Sequence, residues 1–143
     1  MRENLQQREC SKAVLLDQKG NVYMEIHKIA GGKLGFFGGF IDLGETKEWA
    51  LTRELREELA IYKEVEKKDY MGEISVEHDE LGCIKIHMFK IIISNEVGKI
   101  ISQNEDVVVS RFNGYKQLDK KFFISENKQL FMSLISDAFK LTN

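Results

Sequence analysis

A chain of 143 residues, 43% hydrophobic and 31% charged, has the makeup of one soluble globular domain rather than two. Its formal net charge of −2, from 21 basic and 23 acidic residues, argues against a protein whose main task is gripping nucleic acid through the phosphate backbone. No run approaches the roughly 20 apolar residues of a membrane helix, and Met1 to Glu9 is polar and unlike a secretory signal. Cys10 and Cys83 stand far apart in no metal-ligand spacing, which reads as free thiols in a reducing cytoplasm; the lack of a long apolar run predicts no membrane partner.

In chain order, the apolar runs Val14 to Leu16 and Val22 to Ile26 flank Asp17 to Gly20 and predict a β-hairpin. Ala30 to Lys33 predicts a turn, followed by a short apolar piece from Leu34 to Phe37. Gly38 and Gly39 predict the opening of a loop that runs to about Glu45. Thr46 suits a helix N-cap, because its hydroxyl can accept an otherwise orphaned backbone N–H. Strong helix formers fill Lys47 to about Tyr62, and Leu51, Leu55 and Leu59 give that helix one apolar stripe. Tyr70 to Glu77, Ile84 to Ile93 and Asp106 to Phe112 read as strands. Leu130, Phe131, Leu134, Ile135, Ala138 and Phe139 fall at helical spacing and predict an amphipathic helix over Glu126 to Leu141, with Ser125 as its cap. Strands in the middle, one helix inserted and one at the end point to an α+β chain built as an α/β/α sandwich, a single domain over residues 1–143.

The chemistry concentrates between Gly39 and Ile61. Glu54, Glu57 and Glu58 occupy positions i, i+3 and i+4, which share one helix face, so three carboxylates share one patch. Their mutual repulsion is reversed by a divalent cation, and hard ions such as Mg2+ take oxygen ligands alongside substrate phosphates. The Gly38–Gly39 pair lets the backbone approach a ligand closely and offer a carbonyl oxygen. Arg53 can pair with a neighbouring carboxylate, or with Glu45, in a bidentate fork.

The same stretch resembles the Nudix box: Gly, five residues, Glu, seven residues, Arg-Glu, an aliphatic, any residue, Glu-Glu, any residue, Gly and an aliphatic. Gly39, Glu45, Arg53, Glu54, Leu55, Glu57, Glu58 and Ile61 match, and Ala60 stands where the family has its second glycine. The resemblance implies a Nudix-type sandwich with a mixed sheet and a hydrolase that cleaves a pyrophosphate bond with Mg2+ or Mn2+. It implies Glu54, Glu57, Glu58 and the Gly38 carbonyl as metal ligands, Gly39, Arg53 and Glu45 as the residues holding loop to helix, and a later carboxylate that serves as base, for which Glu105 and Asp106 before the last strand are the candidates and Glu105 the choice. Gly32 to Asp42, Lys68 to Tyr70, Ile86 to Phe89 and Lys128 to Leu130 are similar to the branch that decaps small nucleolar RNA and hydrolyses inosine diphosphates, with Phe37 in place of that branch's proline. The substrates so implied are a nucleoside di- or triphosphate, or a similar nucleotide-derived small molecule, or an RNA 5′ end, and the expected assembly is a monomer or homodimer.

Candidate substrate contacts are His27, Lys28, Phe36, Phe40 and Gln129. Each has a plainer reading: histidines and phenylalanines in the core, lysines in solvent, Gln129 on the surface or capping a helix. Trp49 reads as packing rather than as a base-stacking platform, and His78 and His87 as structural. Two rivals to a nucleotide hydrolase stay open: an RNA-end enzyme of the same fold, and a non-catalytic nucleotide-binding regulator, although the regulator reading expects lost box carboxylates. A bare helical interaction module predicts no metal binding and no turnover.

Overall fold

The structure, a computed structural model, describes residues 8–27, 33–78, 82–94, 107–112 and 133–138. Arg8–Asp17 (β1) carries hydrophobic side chains on both faces, as a central strand must. It pairs in parallel with Gly82–Ile93 (β6), from Arg8 opposite Ile84 to Asp17 opposite Ile93. Its other edge is shared. Val22–His27 (β2) takes the end near Leu15 and Leu16, and Phe37–Phe40 (β4) takes the end from Cys10 to Ala13, both antiparallel.

Lys33–Gly35 (β3) continues beside β2, Val107–Phe112 (β7) lies on the far edge of β2, and Tyr70–His78 (β5) lies beyond β6. Among the described residues these strands form a mixed, seven-stranded sheet. The hairpin turn is organised by Asp17, whose carboxylate accepts hydrogen bonds from the Lys19 and Asn21 backbone N–H groups, the Asn21 amide and the Tyr23 hydroxyl.

Alternating side chains along the strands feed two cores, one on each side of the sheet. On one side Leu51, Leu55 and Leu59 of the helix Lys47–Leu59 (α1) pack with Ala13, Leu15, Phe37, Phe89 and Ile91. On the other, Cys10, Val14, Leu16, Val22, Met24 and Met88 pack with Ile135 and Ala138 of the helical residues 133–138. The α/β/α sandwich and mixed sheet expected from the sequence are therefore the observed architecture. Leu55 is fully buried, and emptying such a position costs roughly 2–5 kcal/mol.

Three local expectations are corrected. Gly38 and Gly39 do not open a loop; they lie in β4, opposite Lys12 and Ser11, and the loop begins at Ile41. Gly38 adopts φ +132°, and a Cβ there would stand 2.1 Å from the Ser11 carbonyl oxygen, so only glycine lets β4 lie this close to β1. The helix stops at Leu59 rather than near Tyr62, because Ala60 enters the left-handed region at φ 55°. There its N–H bonds the Arg56 carbonyl and the Ile61 N–H bonds that of Leu55. Finally, β6 begins at Gly82, with Gly82 and Cys83 already paired to His78 and Glu77.

Candidate active site

The site is assembled where β4 passes under α1. Thr46 caps the helix as expected, its hydroxyl accepting the Trp49 N–H at 3.1 Å. Ser11 on β1 donates to the Lys47 carbonyl at 2.8 Å and ties the start of the helix to the sheet. The leucine stripe then fixes the rotation of α1, so Arg53, Glu54, Glu57 and Glu58 turn toward β4 and the loop after it.

Arg53 is the hub. Its Nε and Nη2 clamp the two Glu45 oxygens at 2.7 and 2.9 Å, and Nη2 also reaches the Phe40 carbonyl at 3.2 Å. Nη1 lies 3.1 Å from Glu54 Oε1 and 3.6 Å from Glu57, and Asp42 stands 3.4 Å from Nη2. The hydrogen bonds from Arg53 hold the Glu45 carboxyl down to about 2, so it is ionised at every ordinary pH. Glu45 Oε1 also accepts the Asp42 N–H at 2.8 Å, closing the loop on itself.

The glycines leave room for the acids. At Gly39 a Cβ would meet Glu54 Oε1 at 2.7 Å, so the carboxylate rests against bare backbone. The Gly38 N–H donates to Glu58 Oε1 at 3.1 Å. Burial pushes the Glu58 carboxyl well above the usual range, the charges of Glu25 and Glu54 add to this, and Lys12 and the Gly38 N–H counter it only in part. The Lys12 ammonium sits 3.4 Å from the Gly38 carbonyl oxygen.

The sequence reading missed Glu25 and Lys12. Glu25 is 3% exposed on β2, and Lys12 stands opposite Gly38 on β1. A single charged residue inside an otherwise apolar strand was the available signal for Glu25.

The donor set suits a hard divalent cation. The acids Glu25, Glu54, Glu57 and Glu58 are more numerous than the cations Arg53 and Lys12, the oxygens are carboxylate and carbonyl, and burial together with the charges of Glu25 and Glu54 raises the Glu58 pKa. As arranged, Arg53 holds Glu54 and reaches Glu57, and no three acidic, histidine or cysteine side chains among the described residues close into a metal-binding cluster.

Of the other expected contacts, Phe40 is exposed beside the site, with the Arg8 guanidinium 5.5 Å from its ring centre. Phe36 belongs to the core on the opposite side of the sheet from α1, with 5% exposure, and Phe37 to the core under α1. Lys28, Glu105 and Gln129 lie outside the described residues, as does the His27 side chain. His87 is structural: it bridges the Glu9 carboxylate at 2.7 Å and the Tyr70 hydroxyl at 2.9 Å. The packing role expected for Trp49 is corrected, since it is 47% exposed with Arg56 5.6 Å from its ring centre.

This fold and box define a class. Residues 9–106 match the family described as Nudt16-like, U8 snoRNA-decapping enzyme-like. That match spans more than half of the chain, and the chain belongs to this family of Nudix hydrolases. Solved structures agree on the fold. A MutT protein from Methanosarcina mazei Go1 superposes with a TM-score of 0.73 at 16% identity, covering 94% of this chain and 96% of that one. A MutT NUDIX hydrolase from Burkholderia pseudomallei gives 0.70 at 19% identity, covering 90% and 97%. The ORF135 protein of E. coli gives 0.63 at 19% identity, covering 90% of each chain. Among curated proteins, none is similar enough in sequence to stand as a relative.

Proposed function

We propose that this chain hydrolyses a pyrophosphate bond in a nucleoside di- or triphosphate or a related nucleotide, with Mg2+ or Mn2+ held by Glu54, Glu57, Glu58 and the Gly38 carbonyl. One observation carries the reading: a bidentate Arg53–Glu45 clamp fixes the loop against a helix face whose acids Glu54, Glu57 and Glu58 are more numerous than the cations beside them. When bound, the cation activates a water and neutralises charge on the phosphates. The chain's own residues do the rest. Arg53 and Glu45 hold loop and helix in register, Gly39 leaves space for the Glu54 carboxylate, and the Gly38 N–H orients Glu58. Phosphoryl transfer depends chiefly on such positioning. Glu105 is proposed as the later carboxylate that takes the proton of the attacking water.

An RNA 5′ end is a second substrate reading, favoured by the match to a family of snoRNA-decapping-like enzymes. No helix among the described residues is long and apolar enough to cross a membrane. The test is a panel of nucleoside di- and triphosphates, ADP-ribose, dinucleotides and capped RNA, each with Mg2+ or Mn2+ and with chelator. Metal-dependent product from at least one is expected. Failure of the whole panel would reject the reading.

A further inference from the structure

A second feature lies on the flank of α1 away from the carboxylates. By the helical repeat, Trp49 and Arg56 project roughly opposite Glu54 and Glu58. They line a hollow of about 280 Å³ together with Tyr62 and Lys63. Lys63 also lines a neighbouring hollow of about 450 Å³, where Lys68 and Lys90 converge. The two hollows share Lys63, which stands between them.

Their chemistry is mixed in a specific way. Trp49 is 47% and Tyr62 80% exposed, although both are large rings that a soluble surface usually covers. Arg56 lies over the Trp49 ring, and Lys68 is 3.5 Å from Glu66. Among the described residues, no ion pair engages Arg56, Lys63 or Lys90. The acids lining the hollows are Glu64 and Asp69, and Asp69 already accepts the Glu66 N–H at 2.9 Å. Burial lowers the proton affinity of Lys90, consistent with a cation that lacks a carboxylate partner. A chain of net charge −2 has gathered four cations and two exposed rings in one place.

We propose that the track from Trp49 through Lys63 to Lys90 binds single-stranded nucleic acid. The rings of Trp49 and Tyr62 stack on bases, and Arg56, Lys63, Lys68 and Lys90 meet successive phosphates. Such interleaving of flat rings and cations fits a strand whose bases are unpaired, since each base offers a stacking face irrespective of sequence. It fits a duplex poorly, because stacked and paired bases hide those faces. The track does not depend on the proposed hydrolysis, and a strand held there extends past one nucleotide.

The test is fluorescence anisotropy of a labelled single-stranded RNA dodecamer and its DNA counterpart on the full chain, in chelator so that no turnover occurs. Either strand should bind, with affinity falling as salt rises. Trp49→Ala and Tyr62→Ala should each weaken binding by roughly 5- to 100-fold. The double variant Lys63→Glu/Lys90→Glu should weaken it at least about tenfold and flatten the salt dependence. Hydrolysis of whichever small nucleotide the wild type accepts should be unchanged in all of them. Wild-type binding without any hydrolysis would uphold the track and reject the enzyme. No binding to either strand, equal binding by the variants, or equal affinity for a duplex or a poly-glutamate peptide would overturn the proposal.

Discussion

Arg53 holds Glu45 through both carboxylate oxygens, at 2.7 and 2.9 Å, across the gap between helix α1 and the loop that follows β4. The two residues are eight apart in sequence, and their pairing makes the loop and the acidic helix one rigid unit. Lysine cannot reproduce the fork, because its ammonium is a single point of charge. Arg53→Lys and Glu45→Gln should each lower kcat by roughly 10- to 100-fold, as expected for groups that orient the acids proposed to hold the metal. Circular dichroism should show the fold retained. Equal turnover in both variants would remove the clamp from the account.

The adjacent glycines should respond differently to the same substitution. At Gly39 the added methyl meets the far end of the Glu54 side chain, 2.7 Å from Oε1, and that side chain can move. Gly39→Ala should leave chemical stability within about 1 kcal/mol of wild type, in the ordinary range of a tolerated substitution, and cut turnover by displacing Glu54. At Gly38 the methyl meets the Ser11 carbonyl, which is backbone in a central strand, and φ is +132°. Gly38→Ala should cost about 3 kcal/mol or more. Urea denaturation and steady-state kinetics on both variants separate the effects.

Ala60 is the one described non-glycine residue with positive φ, at the position where the Nudix box has glycine. A left-handed alanine carries a steric cost of about 1 kcal/mol. Ala60→Gly should therefore stabilise the protein by ~1 kcal/mol without changing turnover, read by urea denaturation. A destabilised variant would show that the helix end is held by something other than this turn.

Asp17 supplies a pH-dependent part of stability. Burial alone would raise its pKa, but hydrogen bonds from Asn21, Tyr23 and the Lys19 N–H outweigh this and bring it below its ordinary value of 3.8. The stabilisation is therefore fully present above about pH 4 and is lost as pH falls through the lower folded value. Asp17→Ala should cost roughly 2–3 kcal/mol at pH 7, since several donors to one carboxylate lose their partner. The gap to wild type should narrow below pH 4. A gap that widens on acidification would contradict the assignment.

The local features of the chain were readable because their causes are local. The Thr46 cap, the leucine stripe of α1 and the hairpin around Asp17 each follow from neighbouring residues, and the structure has all three. What escaped depends on contacts distant in sequence. Gly38 to Phe40 became a strand because β1 offers its edge there, which no neighbouring residue announces. Glu25 and Lys12 reach the site through sheet pairing, with β2 and β1 bringing them beside residues far along the chain. Trp49 looked like core by residue type, yet the helix rotation set by Leu51, Leu55 and Leu59 turns it outward.

Steady-state hydrolysis of the best substrate by wild type, Glu57→Gln and Glu58→Gln, across a Mg2+ titration, tests the central claim most directly. Turnover that rises with Mg2+ in the wild type and falls by orders of magnitude in both variants, with folding unchanged, is the predicted result. Near-full activity in both variants, or wild-type activity indifferent to Mg2+, Mn2+ and chelator, would contradict it.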